Sequence, residues 1–305
     1  MASNGDSTRA ILFALGANFA IAIAKGVAAW VTHSSAMLAE TVHSLADCGN
    51  QLLLLLGMRQ AEQPPSDEYP LGQGKAIYFW SFLVAVMLFS VGGMFSLYEG
   101  IHKFSNPAPI KQWWWAAGVL VFAIVAEGVS MRAALQEVNK VRGDNSLWRW
   151  FRDSRQSELV VIVGEDLAAL VGLCLALIAV MLTVVTGNPM WDALGTVAIG
   201  VLLIVVAVVV AIEVKAMLIG QGMHPKQQAR LRSFIEARPE IDALISLITL
   251  QLGEKVMVSV QAEMHEHADA RQLLVQVRAV ERAIKDEFPE VLWSFFEPEL
   301  GKTPE

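Results

Sequence analysis

Charge is scarce in this chain. Asp, Glu, Lys and Arg together make up 17% of its 305 residues, against about 25% in an ordinary soluble domain. With 54% hydrophobic residues, that scarcity argues against a soluble globule. Cysteine is nearly absent too. Cys48 and Cys174 each lie within an apolar run, which excludes a disulfide framework. The net charge of -7 says little, because membrane orientation depends on Lys and Arg rather than on net charge; no nucleic-acid partner is expected.

What remains is bunched. Most apolar residues precede position 223, and most charges fall between the apolar runs or after that point. At 1.5 Å per residue, six windows are long enough to cross about 30 Å of hydrocarbon: Ala10–Val31, Ala36–Met58, Ile77–Tyr98, Trp113–Ala134, Leu159–Val185 and Asp192–Leu218. The expected fold is therefore an α-helical membrane protein with six transmembrane helices over residues 1–222. A cytoplasmic α+β domain over 223–305 follows it. The first apolar run reads as a span rather than a cleavable signal, because it continues through Ala29 into a multi-span chain.

Lys and Arg orient such a bundle. Arg132, Lys140, Arg142, Arg149, Arg152 and Arg155 lie between the fourth and fifth windows, and Lys226, Arg230 and Arg232 follow the sixth. The turns at 32–34 and 186–190 carry no basic residue. Both termini are thus expected in the cytoplasm, with the protein in a bacterial inner membrane. Pro189, after Gly187 and Asn188, breaks the chain between the last two windows.

After His224 the periodicity changes. Residues 225–237 read as an amphipathic helix and 243–250 as β-rich. Residues 255–263 alternate like a strand, 269–287 form a long helix, and 291–296 form a last strand. The order α-β-β-α-β predicts a small ferredoxin-like domain, suited to making a homodimer.

The second window contains a polar string, AETVHSLADCGNQ. His43 and Asp47 are four apart and share a helical face, with Asn50 three residues further on. The fifth window carries Glu165 beside Asp166. Ionisable groups at membrane depth are costly unless they bind or pair with something. Imidazole with carboxylates suits Zn²⁺, and the same donors hold Mn²⁺ or Fe²⁺. The expected ligands are His43, Asp47, Asp166 and Glu165, with Asn50 as a further donor. Protons compete with a metal ion for such groups. In the tail, His265 and His267 form a His-x-His that suits a surface metal site, and an uncommitted polar edge explains it as well.

The stretches SSAMLAETVHSLADCGNQ (34–51), YPLGQGKAIYFW (69–80), GGMFSLYEGIHK (92–103) and NPMWDALGTVAIG (188–200) resemble the cation diffusion facilitator family, most nearly its zinc transporter 9-like subgroup. The resemblance implies a secondary transporter, not an enzyme, that exports a divalent cation in exchange for protons. Zn²⁺ is the first expectation as transported substrate, Mn²⁺ or Fe²⁺ the second, and no organic cofactor is implied. A membrane metal sensor with little flux is the other class in view. The family pattern in the fifth span places a ligand four residues before Asp166, where this chain has Ile162. Either Glu165 replaces that ligand, or the site has three protein ligands completed by water or an amide.

Overall fold

The computed structural model describes residues 4–299 except 108, 111, 144 and 266–268, with side chains in the first helix described at 15, 16 and from 18 onward. Two helices open the chain, α1 (Asn4–Thr32) and α2 (Ser35–Ala61). His33 and Ser34 separate them, and Ser34 caps α2, its Oγ accepting from the Met37 N–H at 3.3 Å. A long rod follows. It comprises α3 (Ala76–Met87), a π-helical segment (Leu88–Met94) and α4 (Phe95–Ser105). Then come α5 (Trp113–Val141), the short α6 (Leu147–Asp153), α7 (Ser157–Thr186) and α8 (Met190–Ile219). Gly187 ends α7 in the left-handed region (φ 65) and Pro189 precedes α8, so the break predicted there is present.

The expectation of six spans is corrected to four. Among the described residues, the rod Ala76–Ser105, α5, α7 and α8 are long and apolar enough to cross a membrane. The apolar part of α1 described here, Asn18–Thr32, is too short. Helix α2 is long enough, at 27 residues. It fails on composition, because Glu40, His43, Asp47, Asn50 and Arg59 interrupt its apolar surface. The polar string that singles out α2 is what removes it from the spanning set.

The helices meet through small residues. A methyl group added at Gly200 would lie 2.6 Å from the Leu97 backbone nitrogen, and one at Gly93 would lie 2.6 Å from Ile204 Cγ1. The rod and α8 therefore touch backbone to backbone at these two positions, a contact that only small residues permit. The shared core draws on α1, α2, the rod, α5, α7 and α8, with Met37, Leu88, Leu120, Leu173, Ile199 and Leu203 almost fully buried.

The tail runs α9 (Pro225–Glu236), β1 (Ile241–Leu252), β2 (Lys255–Met264), α10 (Ala270–Glu287) and β3 (Val291–Glu299). The element order matches the periodicity, but the ferredoxin-like closure does not form. Among the described residues, the sheet has three strands in the order β1-β2-β3, β1 antiparallel and β3 parallel to β2. The ferredoxin-like pattern begins with a further strand ahead of its first helix. Here α8 ends at Ile219, and only Gly220–His224 separate it from α9, with Gly220 at φ 130. Among the described residues, the sheet therefore stays open at both edges. One face packs on the helices through Val256, Val258, Val260 and Ala262 against Leu231, Ile235, Val280 and Ile284.

The tail is tied to the bundle. The Tyr78 hydroxyl on α3 accepts from the Gly253 N–H at 3.0 Å and donates to its carbonyl at 3.3 Å. Arg155 Nε donates to the Gly222 carbonyl at 2.8 Å.

Candidate metal-transport site

Helix α2 turns one polar stripe inward. Glu40, His43, Ser44, Asp47 and Asn50 follow the i, i+3, i+4, i+7 spacing that keeps residues on one face. Glu40, His43 and Asn50 are wholly buried. His43 Nδ1 lies 3.5 Å from Asp47 Oδ1, too long for a hydrogen bond. Among the described residues, neither His43 nitrogen has a hydrogen-bond partner, and Asp47 Oδ1, Asn50 Oδ1 and Glu40 Oε1 also lack one. Buried polar atoms are normally paired, and each orphan costs about 1–3 kcal/mol. Five such atoms on one stripe make it the candidate site.

Opposite α2, the two acidic neighbours on α7 part company. Glu165 is buried and accepts from Asn50 Nδ2 through Oε1 at 2.5 Å. Asp166 points instead towards α5, where its Oδ2 accepts from Ser130 Oγ at 3.1 Å. The pair therefore does not aim at one point: Glu165 belongs to the α2 side and Asp166 to the α5 side. Ile162 packs among apolar neighbours. Among the described residues, no group of three or more His, Cys, Asp and Glu side chains converges closely enough to hold an ion. The arrangement has donors on α2 and carboxylates on α7, but they are not drawn together around a common centre.

Three further groups belong to this neighbourhood. Lys25 on α1 is completely buried; its Nζ lies 3.3 Å from Glu40 Oε2 and donates to Ser44 Oγ at 2.7 Å. Glu127 on α5 lines a small cavity with Asn18, Ile21, Ser44 and Asp47. The π-helical segment also reaches the site, since a methyl group at Gly92 would come 3.8 Å from His43 Nδ1. Irregular helix of this kind is common at functional sites. Lys25 and Glu127 stand out in the sequence as charges in apolar runs, but periodicity does not say which partner each meets.

Asp192, another acid in an apolar window, has a different task. Its carboxylate accepts from Ser34 Oγ (2.6 Å), Ser35 N (2.8 Å) and Ser35 Oγ (2.9 Å), pinning the start of α8 to the start of α2. In the tail, His265 Nδ1 contacts the Asp242 carboxylate at an exposed position. His267 lies outside the described residues. Cys48 is buried and Cys174 exposed, both as free thiols.

The family profile described as the cation efflux transmembrane domain matches residues 11–219. The chain belongs to the cation efflux family. It is 33% identical over 229 residues to the proton-coupled zinc antiporter SLC30A9, mitochondrial, of Mus musculus, covering 74% of this chain and 40% of that protein. It is 30% identical over 244 residues to metal tolerance protein C4 of Arabidopsis thaliana, covering 78% and 52%. With the cation-efflux pump FieF of Klebsiella pneumoniae it shares 27% identity over 282 residues, covering 92% of this chain and 89% of the pump. The chain spans about 40% of the length of the mitochondrial relatives it matches. Together with the spanning helices, the family places this chain in a membrane as an integral protein.

Proposed function

We propose that this protein is a secondary transporter, not an enzyme, that moves a divalent cation out of the cytoplasm in exchange for protons, with Zn²⁺ as the first substrate. The stripe of unpaired buried donors on α2 carries this reading. A neutral imidazole and carboxylates match the preferences of Zn²⁺, and the names of the antiporter and efflux-pump relatives point the same way. His43, Asp47 and Glu165 are the ligands best placed to act first. Asn50 releases Glu165 when an ion arrives, and Asp166 joins only if α7 rotates. In this scheme the ion itself draws the two sides together, stabilising the state that binds it better.

Proton exchange follows from the same donors. Imidazole has an unperturbed pKa of about 6.5 and so exchanges protons readily, and a doubly charged ion displaces protons from nitrogen and carboxylate alike. A site that faces each side of the membrane in turn would then load metal on one side and protons on the other. The remaining features of the proposal are a transport unit over residues 1–222 and a cytoplasmic tail over 223–305, with both termini cytoplasmic in a bacterial inner membrane. The tail is assigned to homodimer formation, supported by Ile248 and Phe295 exposed on the uncovered sheet face.

The test is purified protein in proteoliposomes with a pH gradient, a trapped pH dye and a panel of Zn²⁺, Mn²⁺ and Fe²⁺. Zn²⁺ movement coupled to counterflowing protons is expected, abolished in Asp47→Ala and strongly reduced in Glu165→Ala. Metal movement with no proton flux would sink the exchange mechanism. Strong Zn²⁺ transport by Asp47→Ala would overturn the ligand assignment.

A further inference from the structure

Lys25 is the one cation placed against the α2 stripe among the described residues, and it has a specific partner. A fully buried lysine is rare unless its charge is matched. Two of the three ammonium donors are used, on Glu40 Oε2 and Ser44 Oγ. Glu40 is thereby half engaged, because its Oε1 has no partner among the described residues. That oxygen lies against α7 at Gly172, where an added methyl group would come within 2.8 Å of it. Glu40 stands one helical turn before His43 and two before Asp47, on the same face. A carboxylate so placed could join the ligands of a cation at His43 and Asp47, and the ammonium holds it back.

Ion pairing for stability alone is a poor account of this arrangement. A buried pair often contributes little relative to apolar side chains of the same size. Its chemical consequence is more specific. An imidazole with few carboxylates favours Zn²⁺ in four-coordinate geometry, whereas each further hard oxygen donor moves a site towards ions such as Mn²⁺.

We propose that Lys25 is a positioning residue that sets metal selectivity: by holding Glu40 it keeps an additional carboxylate out of the cation's coordination shell. This rests on the divalent-cation reading above. Lys25 touches no substrate and acts only through Glu40, so its effect vanishes when Glu40 can no longer ligate.

The experiment measures binding of Zn²⁺ alone and Mn²⁺ alone to the full chain in detergent micelles by titration calorimetry. Wild type is compared with Lys25→Met, Lys25→Arg and the double variant Lys25→Met/Glu40→Gln. In Lys25→Met the ratio of Mn²⁺ to Zn²⁺ affinity rises about tenfold, the scale on which partners of ligand groups act. Lys25→Arg keeps the wild-type ratio, and the double variant returns to it, which a merely structural role would not produce. An unchanged ratio in folded Lys25→Met, or a shift that persists in the double variant, would overturn the proposal. If Lys25→Met is recovered only as aggregate, Lys25→Gln, which retains a donor for Ser44, is judged by the same two outcomes. A wild-type protein that binds Zn²⁺ but moves none in vesicles would defeat the transport reading and leave the selectivity measurement intact. Binding of neither metal would defeat both.

Discussion

Replacing Asp192 by alanine should be among the most damaging single changes in the bundle, although it touches no ion. The carboxylate is fully buried and takes three hydrogen bonds, from Ser34 Oγ, Ser35 N and Ser35 Oγ. Thr196 Oγ1 extends the network to Ser35 Oγ at 3.2 Å. Hydrogen bonds to a charged group contribute roughly 1.5–3 kcal/mol each, and they are not additive when they share an acceptor. The same carboxylate sits in the first turn of α8 and at the start of α2, where negative charge gains about 0.3–1 kcal/mol from each helix dipole. A loss of about 4 kcal/mol follows for Asp192→Ala, with roughly half of that for Asp192→Asn, which retains one acceptor oxygen. For a chain of this size that corresponds to a fall of about 10 °C in apparent melting temperature. The assay is thermal unfolding in detergent at one heating rate, because unfolding of such proteins is commonly irreversible. Zn²⁺ affinity of the folded fraction should stay at the wild-type value. A melting temperature no lower than that of the surface control Glu137→Ala would refute the pinning role. Zn²⁺ affinity lost in step with stability would make Asp192 a ligand instead.

Two smaller changes test other joints. Tyr78→Phe removes the hydroxyl that bonds both the N–H and the carbonyl of Gly253. Hydrogen exchange at the Gly253 amide should then rise about fivefold for a bond worth about 1 kcal/mol, while the helices of the bundle exchange as before. An unchanged Gly253 amide would mean that the hairpin turn is held by other contacts. Gly172→Ala places a methyl group 2.8 Å from Glu40 Oε1. It should cost about 1–3 kcal/mol by overpacking, and Glu40→Asp, one methylene shorter, should recover much of the loss in the melting curve. Failure of that rescue would place the clash elsewhere.

Much of this protein is legible along the chain. The breaks at 32–34 and 187–189 and the α-β-β-α-β order of the tail follow from local rules of turn chemistry and periodicity. So does the shared face of His43 and Asp47, because a four-residue spacing determines it before any neighbour is known. Span counting fails where composition and purpose conflict. Helix α2 has the length of a span, but the donors it carries make it too polar to qualify on its own. The ferredoxin-like expectation fails because α-β-β-α-β is compatible with closed and open sheets alike. Only the short link from Ile219 to Pro225 excludes the strand that would begin the ferredoxin-like pattern.

Sequence by itself determined that this chain is membrane-bound, and it singled out the polar stripe of α2 and the carboxylates of α7 as the candidate site. It did not determine which carboxylate faces which helix. Adjacent helical residues point about 100° apart, so the rotation of α7 against α2 and α5 decides that Glu165 meets Asn50 while Asp166 meets Ser130. Nor could spacing assign Lys25 to Glu40, 15 residues away, or Asp192 to Ser34 and Ser35, more than 150 residues away. Those pairings exist only where packed helices bring charges within a few ångströms in a medium that penalises leaving them alone. The tertiary structure therefore decided which charges hold the bundle together and which, among the described residues, meet no protein partner.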